Sequence, residues 1–138
     1  MTTASLDITP GAHTRAATAG WALSGLFAIF MLGASVLPKL AGMPVAQETM
    51  EALGWPDAPI VLMGFMELAF TLLFLWPRTA PLGAVLMMGI LGGAMATQLR
   101  AETPLFSHVL FSVYLGAAMW GGLWLRDHRL RALLPWRS

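Results

Sequence analysis

No cysteine occurs in the 138-residue chain, which excludes disulfides, thiolate metal sites, iron–sulfur clusters and dithiol redox chemistry carried by its own side chains. Charge is scarce as well: 11% of the residues are charged, against ~25% in an ordinary soluble domain. A net charge of +1 leaves no dense basic face to displace counterions, so nucleic acid is excluded as a partner. No phosphate-binding glycine loop, dinucleotide fingerprint or GxSxG elbow is present, and no catalytic residue is assigned. The 3 histidines include no pair at ligand spacing, and the 10 methionines read as packing, Met63-x-x-Met66-Glu67 with His108 included, so no metal site is expected.

What the chain has instead is apolar length, with 57% of its residues hydrophobic. Four segments, 16–38, 58–76, 79–99 and 104–125, each approach the ~20 residues that a spanning helix needs. The expected fold is all-α, a single polytopic membrane domain covering 1–138, with a tail at 1–15 and a basic tail at 126–138. An uncleaved anchor suits the first segment better than a signal peptide, because no basic cluster precedes it and no small-x-small site follows it. Asp57, Thr79 and Thr103 are placed to cap the second, third and fourth helices, each shortly before a proline.

The basic residues divide unequally. Arg15, Arg78, Arg126, Arg129, Arg131 and Arg137 fall on one side, and Lys39 and Arg100 on the other, so both termini are expected in the cytoplasm. Trp21, Trp76, Trp120 and Trp124 mark the basic boundary and Trp55 the opposite one. The loop at 39–57 can form a short helix opened by Pro44 and stopped by Gly54, with Ala46, Met50 and Leu53 on one face and Glu48 and Glu51 on the other. It reads either as an amphipathic linker or as a lid over the bundle mouth.

Glu67 is the feature that demands an explanation, because an acidic residue at the centre of a span costs roughly 2.5 to 3.5 kcal/mol on insertion and needs a proton or a counter-charge. Met63, Gly64 and Thr71 share its helix face, and Ser35 lies one turn before Lys39. Tyr114 lies at a similar depth on the fourth span, while Lys39, Gln98, Arg100 and His108 sit near outer helix ends. The expected arrangement is a polar funnel with Lys39, Arg100 and His108 at its mouth and Glu67 and Tyr114 at its floor. The alternatives are snorkelling interfacial cations and a protonated Glu67 bonded to a neighbouring helix. Small residues, Gly89-xxx-Gly93, Ser24 with Ala28, and Ala118-xxx-Gly122, read as close helix contacts.

The order of GASVLPKL at 33–40, Gly54-Trp55-Pro56, GFMEL at 64–68, Pro77-Arg78, PLGA at 81–84, Gly93-Ala94, TQLR at 97–100 and the run 104–135 resembles the DoxX-like family of small membrane proteins. The resemblance implies a left-handed four-helix bundle in the bacterial inner membrane and a link to quinone-dependent redox or stress-related membrane assemblies. It also implies that Lys39, Glu67 and Thr97 are polar positions of the family, with Gln98 standing where a His often follows that Thr. An amide cannot titrate, which weakens a proton-relay role there.

Two functions follow as expectations. In one, the chain is an accessory subunit of a redox assembly that holds a quinone noncovalently, its head group against Glu67, Tyr114 and His108. In the other it is a non-catalytic module that binds a lipid or amphiphile, or supports assembly of other membrane proteins. The bilayer is the expected environment in both, with redox subunits or further copies of the chain as partners.

Overall fold

A computed structural model describes residues 10–134, and all regular structure among them is helical. The beginning of the expected N-terminal tail, 1–9, and the end of the basic tail, 135–138 with Arg137, lie outside the described residues. The helices are α1 (Pro10–Phe30), α2 (Leu37–Leu40), α3 (Pro44–Ala52), α4 (Ile60–Leu75), α5 (Ala80–Arg100), α6 (Phe111–Arg126) and α7 (His128–Arg131). Two π-helical turns, Met31–Val36 and Leu105–Val109, lead into α2 and α6. α1 starts inside the segment expected to be a tail, at Pro10, where a missing N–H leaves no bond unmade.

The first π turn has a cause in the sequence. Pro38 offers no N–H to the carbonyl four residues back, and its ring would collide with that carbonyl in a regular α-helix. The wider turn accommodates it, with the Leu37 N–H bonding to the Leu32 carbonyl, five residues back.

Three helical segments, Arg15–Leu40, Ala80–Arg100 and Leu105–Arg126, are long and apolar enough to cross a membrane. α4 is as apolar but has 16 residues, or about 24 Å at ~1.5 Å per residue, short of a ~30 Å hydrocarbon core. α1 packs along α6, α6 along α5, α5 along α4, and α4 against the first π turn and α2, which closes a ring. Phe27, Met31, Phe74, Met87, Leu91, Met119 and Leu123 fill the centre.

The capping differs from expectation. Asp57 makes no cap, because α4 begins at Ile60 behind Pro59. Thr79 occupies the N-cap position of α5, yet its hydroxyl donates backwards to the Leu73 carbonyl at 2.8 Å and so closes the end of α4. The Thr103 hydroxyl likewise donates to Gln98 at the end of α5, at 3.1 Å. Serving the previous helix uses the carbonyls that a short connection leaves unpaired. The loop helix forms as α3, and Gly54 ends it with φ +79°, a left-handed conformation that suits glycine.

At the basic end the helices approach backbone to backbone. A side chain at Gly122 would meet the Ser24 hydroxyl at 2.7 Å and the Ser24 nitrogen at 3.0 Å, and one at Gly83 would run into the backbone of Leu73 and Phe74. Arg126 joins three helices there: it donates to the Phe74 carbonyl at 2.6 Å and lies 4.2 Å over the Trp21 ring and 4.7 Å over the Phe74 ring. Ser24, Ala28 and Gly122 are thus close-contact residues as expected, whereas Gly89 and Gly93 are exposed with open space around them. Gly89-xxx-Gly93 therefore makes no close helix contact within the chain.

Gly83→Val and Gly122→Val should each destabilise the detergent-solubilised chain by about 1–3 kcal/mol or more, since backbone cannot move aside as side chains do. Gly89→Val should leave thermal unfolding unchanged. A loss at Gly89→Val equal to the other two would contradict this packing.

Candidate functional site

The buried stripe of α4 is Gly64, Glu67, Thr71 and Phe74, which places one carboxylate on the inner face of an otherwise apolar helix. Glu67 is 3% exposed. Its counter-charge comes from α2: Lys39 Nζ lies 2.9 Å from Oε1 and 3.1 Å from Oε2. The same ammonium donates to Ser35 Oγ at 2.7 Å, and Ser35 Oγ donates to Glu67 Oε2 at 2.7 Å. All three N–H groups of Lys39 are used, and the triangle is closed. The Thr71 hydroxyl donates to the Glu67 carbonyl at 2.7 Å, which occupies a second polar group on the same face.

Gly64 makes the pairing sterically feasible. A side chain there would sit 2.9 Å from Leu40 and 3.0 Å from the Lys39 Cβ, so glycine lets α2 lie directly on α4. The Lys39 stem then runs inward past Gly64 to a carboxylate one turn deeper. Snorkelling to the interface, one of the alternatives for this residue, is overturned by that geometry.

The triangle forms part of the wall of a cavity of about 510 Å³, within the range of small-molecule sites. The first π turn, α2, α3, α4, α5 and the start of α6 all contribute to it. Phe30, Met31, Met63, Ile90, Leu91, Phe111 and Leu115 make its apolar surface. Val45, Ala46, Thr49, Met50 and Leu53 bring the inner side of α3 over it, while Glu48 and Glu51 remain exposed.

Among the residues expected at the site, Ser35, Lys39, Glu67, Thr97, Gln98 and His108 line this cavity. The Thr97 hydroxyl donates to the Gly93 carbonyl at 2.8 Å. Gln98 differs from its neighbours, because its side-chain oxygen is buried without a hydrogen-bond partner. His108 Nδ1 and the Ser107 hydroxyl share a 2.7 Å bond, which leaves the other ring nitrogen outside that contact.

Two expectations are corrected. Tyr114 is not at the floor: it is 49% exposed, and its hydroxyl donates to the Phe106 carbonyl at 3.1 Å. The rotation of α6 turns Phe111, Ser112 and Leu115 inward instead, and Ser112 is the polar residue that the sequence reading missed. Its signal was spacing, since His108 and Ser112 are four apart and share a helix face. Arg100 does not line the cavity either; its guanidinium donates to the Leu53 carbonyl at 3.1 Å and ties the end of α5 to the end of α3. Met66, paired with Met63 in the soft-cation alternative, is 40% exposed, and no group of three His, Cys, Asp or Glu side chains could hold a metal among the described residues.

A family model described as the DoxX-like family matches residues 22–122, which include every cavity-lining residue. No curated protein and no solved structure matches the chain.

Removing either member of the buried pair should cost about 3–5 kcal/mol, because the other charge is left uncompensated. Glu67→Leu and Lys39→Met should therefore each be severely destabilised, and the double variant should recover most of the loss. Denaturant titration in mixed micelles measures this cycle; additive losses in the double variant would contradict direct pairing.

Proposed function

The chain belongs to the DoxX-like family, and from that membership together with its charged cavity we propose an accessory subunit of a membrane redox assembly that holds a quinone-type head group. In this reading it spans the bacterial inner membrane four times as a left-handed bundle with both termini cytoplasmic. The short α4 crosses a bilayer that thins locally around it, at a cost of fractions of a kcal/mol per Å. Arg15, Arg78, Arg126, Arg129 and Arg131 gather at one end, which supports the orientation.

The observation that carries the proposal is the Lys39–Ser35–Glu67 triangle in the wall of an otherwise largely apolar cavity. An amphiphile whose ring is apolar and whose oxygens form hydrogen bonds fits such a site. The Gln98 oxygen, buried without a partner, accepts a hydrogen bond from a ligand hydroxyl, which the reduced form of a quinone carries, once its amide turns toward the cavity. A bound quinone supplies two-electron, two-proton redox chemistry. The chain supplies orientation through Gln98 and Ser112, a fixed dipole through Lys39 and Glu67, and a water-excluding cover through α3. Proteins that donate or remove the electrons would dock on its lipid-facing surface, as would further copies of the chain.

A non-catalytic lipid- or amphiphile-binding module is the second reading. It is favoured by the completeness of the triangle, whose Lys39 donors are all satisfied within the chain. Such a cluster shapes and polarises a binding site without having to react in it.

Gly93 lines the cavity and has open space where a side chain would begin, so Gly93→Leu should fill the site without disturbing the backbone. Native mass spectrometry of protein extracted gently from its own membranes should find a stoichiometric quinone on the wild type and at least a tenfold loss in Gly93→Leu, with unchanged thermal stability. A wild-type bundle carrying a different amphiphile, lost in the same variant, would support the second reading. Equal retention in both proteins would remove the cavity from either role.

A further inference from the structure

A second groove lies at the opposite end of the molecule, away from the triangle. After α6 the chain turns at Asp127, whose side chain accepts the Arg129 N–H at 2.9 Å, and returns along α6. The return is held by the Trp124 indole, which donates to the Leu134 carbonyl at 3.1 Å. Between the two strokes of the hairpin lies a groove of about 410 Å³ lined by Trp120, Gly121, Trp124, Leu130 and Leu134.

The groove is apolar, and no other part of the described chain covers its outer leucines: Leu133 is 57% exposed and Leu134 43%. Its rim is cationic. Arg131 stands 5.9 Å over the Trp124 ring, while Arg129, two residues earlier and so on another face of α7, is exposed. Among the described residues the salt bridge is Lys39–Glu67, so neither arginine is in one, and the nearby Asp127 side chain accepts the Arg129 backbone N–H. An apolar slot for a chain, flanked by unneutralised guanidinium groups and indoles at the end of a spanning helix, is complementary to one class of molecule.

We propose that this groove is a binding site for an anionic phospholipid of the surrounding membrane. Its phosphate sits against Arg131, Arg129 adds a second positive charge to the same basic surface, and an acyl chain lies along Trp120, Gly121 and Trp124. The lipid supplies the negative charge that the basic end lacks and covers the exposed leucines, docking the returning segment at the membrane surface instead of leaving it in water. This inference is independent of what occupies the cavity between α3 and the triangle.

The test is a titration of the delipidated full-length protein with phosphatidylglycerol or phosphatidylcholine of identical acyl chains, read by native mass spectrometry. Phosphatidylglycerol should bind at least tenfold more tightly. Arg129→Gln with Arg131→Gln should weaken it roughly 30-fold, the effect of two cations near an anionic phosphate, and leave phosphatidylcholine unchanged. Leu134→Ser keeps the charge and should weaken both lipids several-fold. Arg100→Gln, which removes a cation at the far end, should change neither. Equal binding of the two lipids by the wild type, or an equal loss in Arg100→Gln, would overturn the proposal.

Discussion

One buried ion pair organises this molecule. A carboxylate on an apolar helix must be matched by a counter-charge, and the penalty for leaving it alone is several kcal/mol. Lys39 supplies the match from a neighbouring helix, and the surrounding features follow from getting it there. Gly64 removes the side chain that would hold α2 away from α4. Pro38 and the π turn before it set the course of the chain just ahead of Lys39. Ser35, one turn earlier, completes the bonding, so that each donor of the ammonium has an acceptor within the chain.

The bundle is tight at one end and open at the other. Gly20, Gly83 and Gly122 bring backbones together at the basic end, where Arg126 is inserted between Trp21 and Phe74. Toward the other end Gly93 lines the cavity with open space where a side chain would begin, and Phe30 and Phe111 meet edge to face at 5.4 Å between α1 and α6. The cavity is the consequence of that taper. The triangle in its polar wall is closed on itself, and its cover, α3, is tied down by the Arg100 bond to Leu53. A ligand therefore meets a preformed site, and little ordering cost is left to binding.

Much of this could be read from the sequence, for reasons that differ by residue. The apolar segments were visible because bilayer thickness imposes a length, and α3 was visible because Pro44 and Gly54 punctuate it. Glu67 stood out by its cost, and Lys39 and Ser35 by their one-turn spacing. Rotation about a helix axis was harder to read: α6 has a weak apolar asymmetry, so the spacing of Ser112 from His108 was a faint sign of its inward face and nothing local turned Tyr114 outward. The direction of the Lys39 side chain depended on Gly64 in a different helix, a tertiary fact without a local signature. The threonines near helix starts were ambiguous in the same way, because a hydroxyl between two helices can serve either one.

The most direct test of the central pairing is a solid-state NMR distance measurement between ¹⁵N-labelled Lys39 Nζ and the ¹³C-labelled Glu67 carboxyl carbon in lipid bilayers. A strong dipolar contact, in keeping with the 2.9 Å separation of Nζ and Oε1, is the expected result. A Lys39 ammonium with no coupling to Glu67 and in exchange with interfacial water would contradict it.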